Sequence, residues 1–184
     1  MGGLFYFLLS PTHLSKQHQY IILMVIFIST YILPIILLFI LKKLKLINSF
    51  KLRSIEERKF PVLFLVILSF MLGKMLLEIN LVNLLAFSFF GGSLALLVVY
   101  FLFSANIKIS LHTLAIGSLI GFVICMSLYF QMNLTYLIAI LFLLFGLLAS
   151  SRLALKAHIP KEIYLGVTIG ILGQFISYYI YNLS

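Results

Sequence analysis

The chain has 184 residues, 64% of them hydrophobic and only 9% charged, with 13 Lys and Arg against 4 acidic residues and a formal net charge of +9. A soluble globular domain is roughly 45–50% apolar, so a mean hydropathy of +1.23 excludes a water-soluble fold and makes lipid the solvent of most side chains. The bases flank apolar runs and form no isolated arm, which argues against nucleic acid and for membrane lipids as partners.

In chain order, residues 1–19 read as an interfacial segment. Met1 to Leu9 is too short to span a bilayer, and Pro11 and the polar residues after it end the apolar run. No basic region precedes it and no small-residue cleavage site follows, so a cleaved signal peptide is not expected. Residues 20–184 then hold six predicted spans, over 20–41, 61–77, 79–103, 109–130, 134–150 and 163–181. Pro34 should kink the first of them or end a hydrogen-bonded run there. Glu78 to Asn80 makes a tight hairpin of the second and third spans, and Gln131 to Asn133 does the same for the fourth and fifth. The predicted fold is all-α: a polytopic membrane helix bundle forming a single membrane domain over 1–184. A lone cysteine, Cys125, allows no intramolecular disulfide.

Alternation of six spans puts the three longer connections on one face. That face carries Lys42, Lys43, Lys45, Lys51, Arg53, Arg58, Lys59, Lys108, Arg152, Lys156 and Lys161. Only Lys16 and Lys74 lie on or near the other, and the positive-inside rule then leans the basic face toward the cytoplasm, in what reads as a bacterial inner membrane. Gly117 and Gly121, and Gly166 and Gly170, are pairs at the spacing that lets membrane helices approach closely. The 10 Tyr and 18 Phe suit lipid contact and interfacial belts, and His13 and His18 read as interfacial polar residues.

The basic face also gathers chemistry. The stretch SRLALKAHIPKE, residues 151–162, puts five ionisable side chains into twelve residues of a chain with very few. Ionisable groups at membrane depth are costly and point to function, whereas long basic side chains at the interface serve as snorkelling anchors, the reading given to Lys42, Lys43 and Lys45. Lys51-LRSIEE-Arg58, Ile109-Ser110-Leu111-His112 and Ser151-Arg152-LALKA-His158-IPK-Glu162 together resemble the three-part signature of the phosphatidic acid phosphatase type 2 superfamily of integral membrane lipid phosphatases. That signature is Lys, six residues, Arg-Pro; then Pro-Ser-Gly-His; then Ser-Arg, five residues, His, three residues, Asp. The chain is also similar to a divergent branch associated with Bacteroidetes membrane proteins, in which KIS-x-H and a later A-H-x-P segment recur.

The resemblance implies a catalytic set of His158, His112 and Glu162. In it, His158 attacks phosphorus to give a phosphohistidine, Glu162 orients its ring, and His112 protonates the leaving alcohol. It implies a phosphate-binding set of Lys51, Arg58, Ser110 and Arg152, with Ser110 also able to cap the fourth span. No cofactor and no metal are implied, and the expected partner is a phosphorylated lipid substrate. The chain departs from the signature in four places: Pro61 is displaced to the end of RKFP, Leu111 stands for Gly and should narrow the pocket, Ile109 stands for Pro, and Glu162 is one methylene longer than Asp. Two other readings compete. One is a family member without turnover that binds an anionic headgroup or serves as a partner subunit; the other is a metal site of His112, His158 and Glu162, against which the neighbouring bases argue.

Overall fold

The computed structural model describes residues 2–9, 14–47, 54–79 and 82–183. Among these the chain is helical throughout: α1 (Gly2–Leu9), α2 (Lys16–Phe27), α3 (Leu33–Lys43), α4 (Ile55–Leu77), α5 (Asn83–Ser104), α6 (Leu111–Tyr129), α7 (Thr135–Ala154) and α8 (Pro160–Leu183). α2 and α3 join through a wider turn at Ile28–Ile32 into one run, Lys16–Lys43, and six helices are long and apolar enough to cross a membrane. The protein is an all-α, multi-pass membrane bundle.

Pro34 explains the wide turn. It has no N–H for the carbonyl one turn earlier, and its ring needs room there. The chain widens just before it, and the Leu33 N–H reaches back five residues to the Ile28 carbonyl, so the helix bends its ladder and does not end.

Several boundaries lie outside the predicted apolar windows, because a helix need not stop where hydrocarbon does. α4 starts at Ile55, not 61, with the Ser54 hydroxyl accepting the Glu57 N–H at 3.2 Å and two glutamates in the first turn. Ser54-Ile55-Glu56-Glu57 is thus a capping signature, and Pro61 falls inside the helix. α7 likewise runs on to Ala154, so Ser151 and Arg152 are helical. In compensation the α7–α8 connection shrinks to residues 155–159.

The core is built on α6, half of whose span is buried, with α5 and α8 against it and α4 paired outside α5. α7 buries only 6% of its span and Lys16–Lys43 only 11%, so these two face lipid. The predicted glycine pairs make the central crossing. Gly117 lies on the Val167 backbone, Gly121 on Ile171 and Gln174, and Gly170 on Leu114 and Ser118, so any side chain would hold the helices apart. A further contact, Gly91 against Gly173, brings α5 onto α8. Satisfied polar side chains tie α5 to α4 and α8 to α5: Ser93 to the Val66 carbonyl at 2.9 Å, Gln174 to that of Ser88 at 3.0 Å and Ser177 to that of Phe87 at 2.5 Å.

The two ends of the bundle differ. At one, the Tyr129 and Tyr181 hydroxyls meet at 2.9 Å, and α1 of the 1–19 segment packs Tyr6 into an apolar cluster with Ile22, Leu85 and Phe122. His18, in the first turn of α2, bonds the Ser15 cap there at 2.6 Å; His13 lies outside the described residues. At the other end, the starts of α4, α6 and α8 meet the ends of α5 and α7 above a cluster of Val62, Val99, Phe103 and Ile109. The ionisable residues gather there.

Candidate functional site

The α7–α8 turn is shaped by Lys156, whose left-handed φ of 49° reverses the chain. Its N–H bonds the Leu153 carbonyl at 2.9 Å, and the Ala157 N–H bonds that of Arg152 at 3.1 Å, so the last carbonyls of α7 are satisfied without glycine. Two residues later Pro160, which needs no N–H partner in a first turn, opens α8. The result is that His158 and Glu162, four apart, meet: Nδ1 to Oε2 is 2.5 Å, with side chains 6% and 16% exposed. This is a short, charge-assisted contact held out of water. Burial pushes the His158 imidazole below its ordinary value; the Glu162 hydrogen bond and charge oppose that, and the charges of Lys108 and Arg58 add to it. A neutral ring that gives its Nδ1–H to the carboxylate carries the lone pair on Nε2, the tautomer a nucleophile needs.

The start of α6 is bound directly to this pair. The Ser110 N–H donates to the Glu162 carbonyl at 3.3 Å. Ser110 is wholly buried and is the predicted cap: its hydroxyl accepts the Thr113 N–H at 3.5 Å, and the Thr113 hydroxyl donates to the Ser110 carbonyl at 3.0 Å. Its side chain is therefore committed to the helix, and what it presents to the site is a capped helix N-terminus, where first-turn N–H groups lack intrahelical acceptors. His112 stands in that first turn, exposed. Leu111, expected to narrow the pocket, packs its side chain on the apolar cluster below.

Arg58 comes from α4, half-buried and within the electrostatic reach of Glu162 and Glu57. Arg152 comes from the last turn of α7, where a cation suits the helix dipole. Its Nε is buried with no hydrogen-bond partner among the described residues. His112 feels the charges of Arg152, His158 and Arg58 together, so three separate stretches of chain do converge. Lys51, the remaining predicted phosphate ligand, lies outside the described residues.

Sequence reasoning left out Lys108. It sits two residues before Ser110 and donates its ammonium to the Ala157 carbonyl at 2.9 Å. The available signal was a base within a six-residue connection next to a candidate motif.

Among the described residues no three His, Cys, Asp or Glu side chains cluster closely enough to hold a metal ion. A cavity of about 460 Å³ lies elsewhere, between α4, α5 and α8, lined by Phe70, Phe87, Phe90, Leu94 and Leu97. It offers no ionisable group and does not compete as the reacting centre. No family model, curated protein or solved structure matches this chain.

Proposed function

We propose that the protein is an integral membrane phosphatase of the type the motifs resemble, hydrolysing a phosphomonoester or pyrophosphate on a lipid without a metal. The observation that carries this reading is the buried His158–Glu162 pair at 2.5 Å with Arg58, Arg152 and His112 around it. An imidazole held by a carboxylate and surrounded by guanidinium groups is suited to attack an anion that those groups bind.

In this reading His158 Nε2 attacks phosphorus as the bond to the leaving alcohol oxygen breaks, and His112 in its protonated form delivers the proton to that oxygen. Water then attacks the phosphohistidine, the N–P bond breaks, and His112 takes the water's proton. Arg58 and Arg152 stabilise the charge on the equatorial oxygens, and Lys51 is assigned the same task by its place in the motif. Candidate substrates are phosphatidic acid, phosphatidylglycerol phosphate and a polyprenyl pyrophosphate. The excess of bases at this end supports a cytoplasmic orientation for the site by the positive-inside rule, in what reads as a bacterial inner membrane.

Phosphate release by the purified protein in EDTA, screened over these lipids beside His158→Ala, tests the reading. Release by wild type and its loss in the variant are expected; undiminished turnover in His158→Ala overturns the mechanism. The alternative is a headgroup-binding protein without turnover, favoured by Leu111 in place of a glycine and by the commitment of the Ser110 hydroxyl to its cap. Binding of a lipid phosphate with no phosphate released from any of them would select it.

A further inference from the structure

Lys108 is half-buried in the connection between α5 and α6, and its ammonium donates at 2.9 Å to the carbonyl of Ala157. That carbonyl belongs to the peptide that carries the His158 N–H. Two residues after Lys108, the Ser110 N–H donates to the Glu162 carbonyl at 3.3 Å. The two bonds fasten the α5–α6 connection to the α7–α8 turn just before His158 and to the first turn of α8 at Glu162 itself. A charged donor on a carbonyl is the stronger kind of hydrogen bond. The need for it is local, because His158 lies in the short turn of residues 155–159, between the last turn of α7 and the first turn of α8.

We infer that Lys108 is a positioning residue, not a phosphate ligand: its ammonium ties the Ala157–His158 peptide to the start of α6 and thereby sets where the His158 ring stands. The inference deepens the reading of His158 as nucleophile and rests on it. Its second consequence is electrostatic. The groups acting on His158 are Glu162 from α8, Lys108 from the α5–α6 connection and Arg58 from α4, and His158 in turn acts on His112 of α6. Arg152 of α7 acts on His112, and Lys156 and Lys161 are exposed at the rim. Fixed in this place, the Lys108 charge works against protonation of the ring, so loop geometry and the nucleophile's neutral state depend on one side chain.

The test compares Lys108→Met and Lys108→Arg with Lys161→Met, a change at an exposed base, in full-length protein in detergent whose folding is checked by thermal unfolding. For phosphate release, Lys108→Met should lower kcat about tenfold with KM held, the order expected for losing one charge-assisted hydrogen bond. Lys108→Arg should recover most of that loss. A raised KM with kcat held would instead make Lys108 a phosphate ligand and overturn the inference. A second readout does not depend on turnover: the pH dependence of His158 modification by diethylpyrocarbonate, followed by peptide mass. Its midpoint should move up in Lys108→Met and stay put in Lys108→Arg and Lys161→Met. An unmoved midpoint in Lys108→Met overturns the inference even if wild type hydrolyses lipid phosphates. Should wild type release no phosphate, the hydrolytic reading falls and the midpoint alone decides the role of Lys108.

Discussion

Replacing Gly166 by alanine tests whether the helix crossing and the site are one structure. Gly166 lies one turn below Glu162 on α8, and a Cβ there would stand 2.8 Å from the Ser110 carbonyl oxygen and closer still to the Thr113 hydroxyl. Neither can move aside, because both residues are fully buried and bonded to each other. Ordinary contact begins at 3.4 Å, so the helices must part by about 0.6 Å to clear the carbonyl and by about 1.1 Å to clear the hydroxyl. The Ser110–Glu162 bond, 3.3 Å long, would then stretch to about 3.9 Å or more and be lost. Overpacking of this kind costs about 1–3 kcal/mol and the bond about 1 more. A shift approaching 1 Å between His112 and the His158–Glu162 pair should lower hydrolysis by up to about 100-fold. Thermal unfolding in detergent and phosphate release are the measurements, with Gly92→Ala as reference. Nothing lies within 4 Å of a Cβ at Gly92, so that change should be neutral or stabilise by about 0.5–1 kcal/mol. If Gly166→Ala unfolds together with Gly92→Ala and keeps its activity, the close crossing is not what holds the site.

Other expectations follow from the same geometry. Glu162→Gln keeps a partner for His158 but removes the charge and permits the wrong tautomer, so hydrolysis should fall roughly 10²–10⁴-fold; a loss under tenfold would count against an orienting carboxylate. Because the folded protein holds His158 below its ordinary 6.5, the unfolded chain takes up that proton more readily. This histidine's contribution should therefore make stability fall as pH drops below 6.5 and be flat above it, with the acid limb of kcat/KM displaced downward. Denaturant titrations of wild type and His158→Gln check the sign, since the variant should lose part of the slope. Lys156→Gly should stabilise by about 1 kcal/mol, as glycine adopts φ 49° without the strain a side chain brings, and a lower melting temperature would contradict that.

The spans were legible because hydrocarbon imposes a length and a composition, and six apolar runs met both. The ends of the helices were not, because apolar windows mark where lipid stops and a backbone can stay helical into the interface. Ser54 with Glu57 carried the earlier start of α4 in the sequence, yet the apolar window and Pro61 outweighed it. At the site, the resemblance pointed to Glu162 as the partner of His158, and the two meet because α8 begins at Pro160, ahead of the predicted apolar span, which sets them one helical turn apart. Ser110 shows the limit of such reasoning: a hydroxyl can be read as cap or as ligand from sequence, and only its burial and the Thr113 contact show which task takes it. Lys108 shows another. Its partner is a main-chain carbonyl 49 residues away, and no spacing rule announces a side chain–backbone bond between two connections.

The guanidinium of Arg152 bears most directly on the proposed anion. Its Nε is buried without a hydrogen-bond partner among the described residues, and an unmet buried donor costs about 1–3 kcal/mol, more when charged. Orphaned atoms are not by themselves evidence of a ligand, for the Asn83 side-chain oxygen at the other end of the bundle is in the same state. The difference lies in the neighbours. Arg152 acts on His112, which also feels Arg58 and His158, so its unmet donor stands where positive charge gathers and an anion would be favoured. A tetrahedral oxyanion should then stabilise the folded protein according to its occupancy, about 2.7 kcal/mol at a hundred times Kd. Orthovanadate titrated into the purified protein should raise the melting temperature of wild type and much less that of Arg152→Met, whereas Lys16→Met, at the opposite end, should respond as wild type does. A rise of equal size in all three would place the anion elsewhere and leave Arg152 a structural cation at the end of α7.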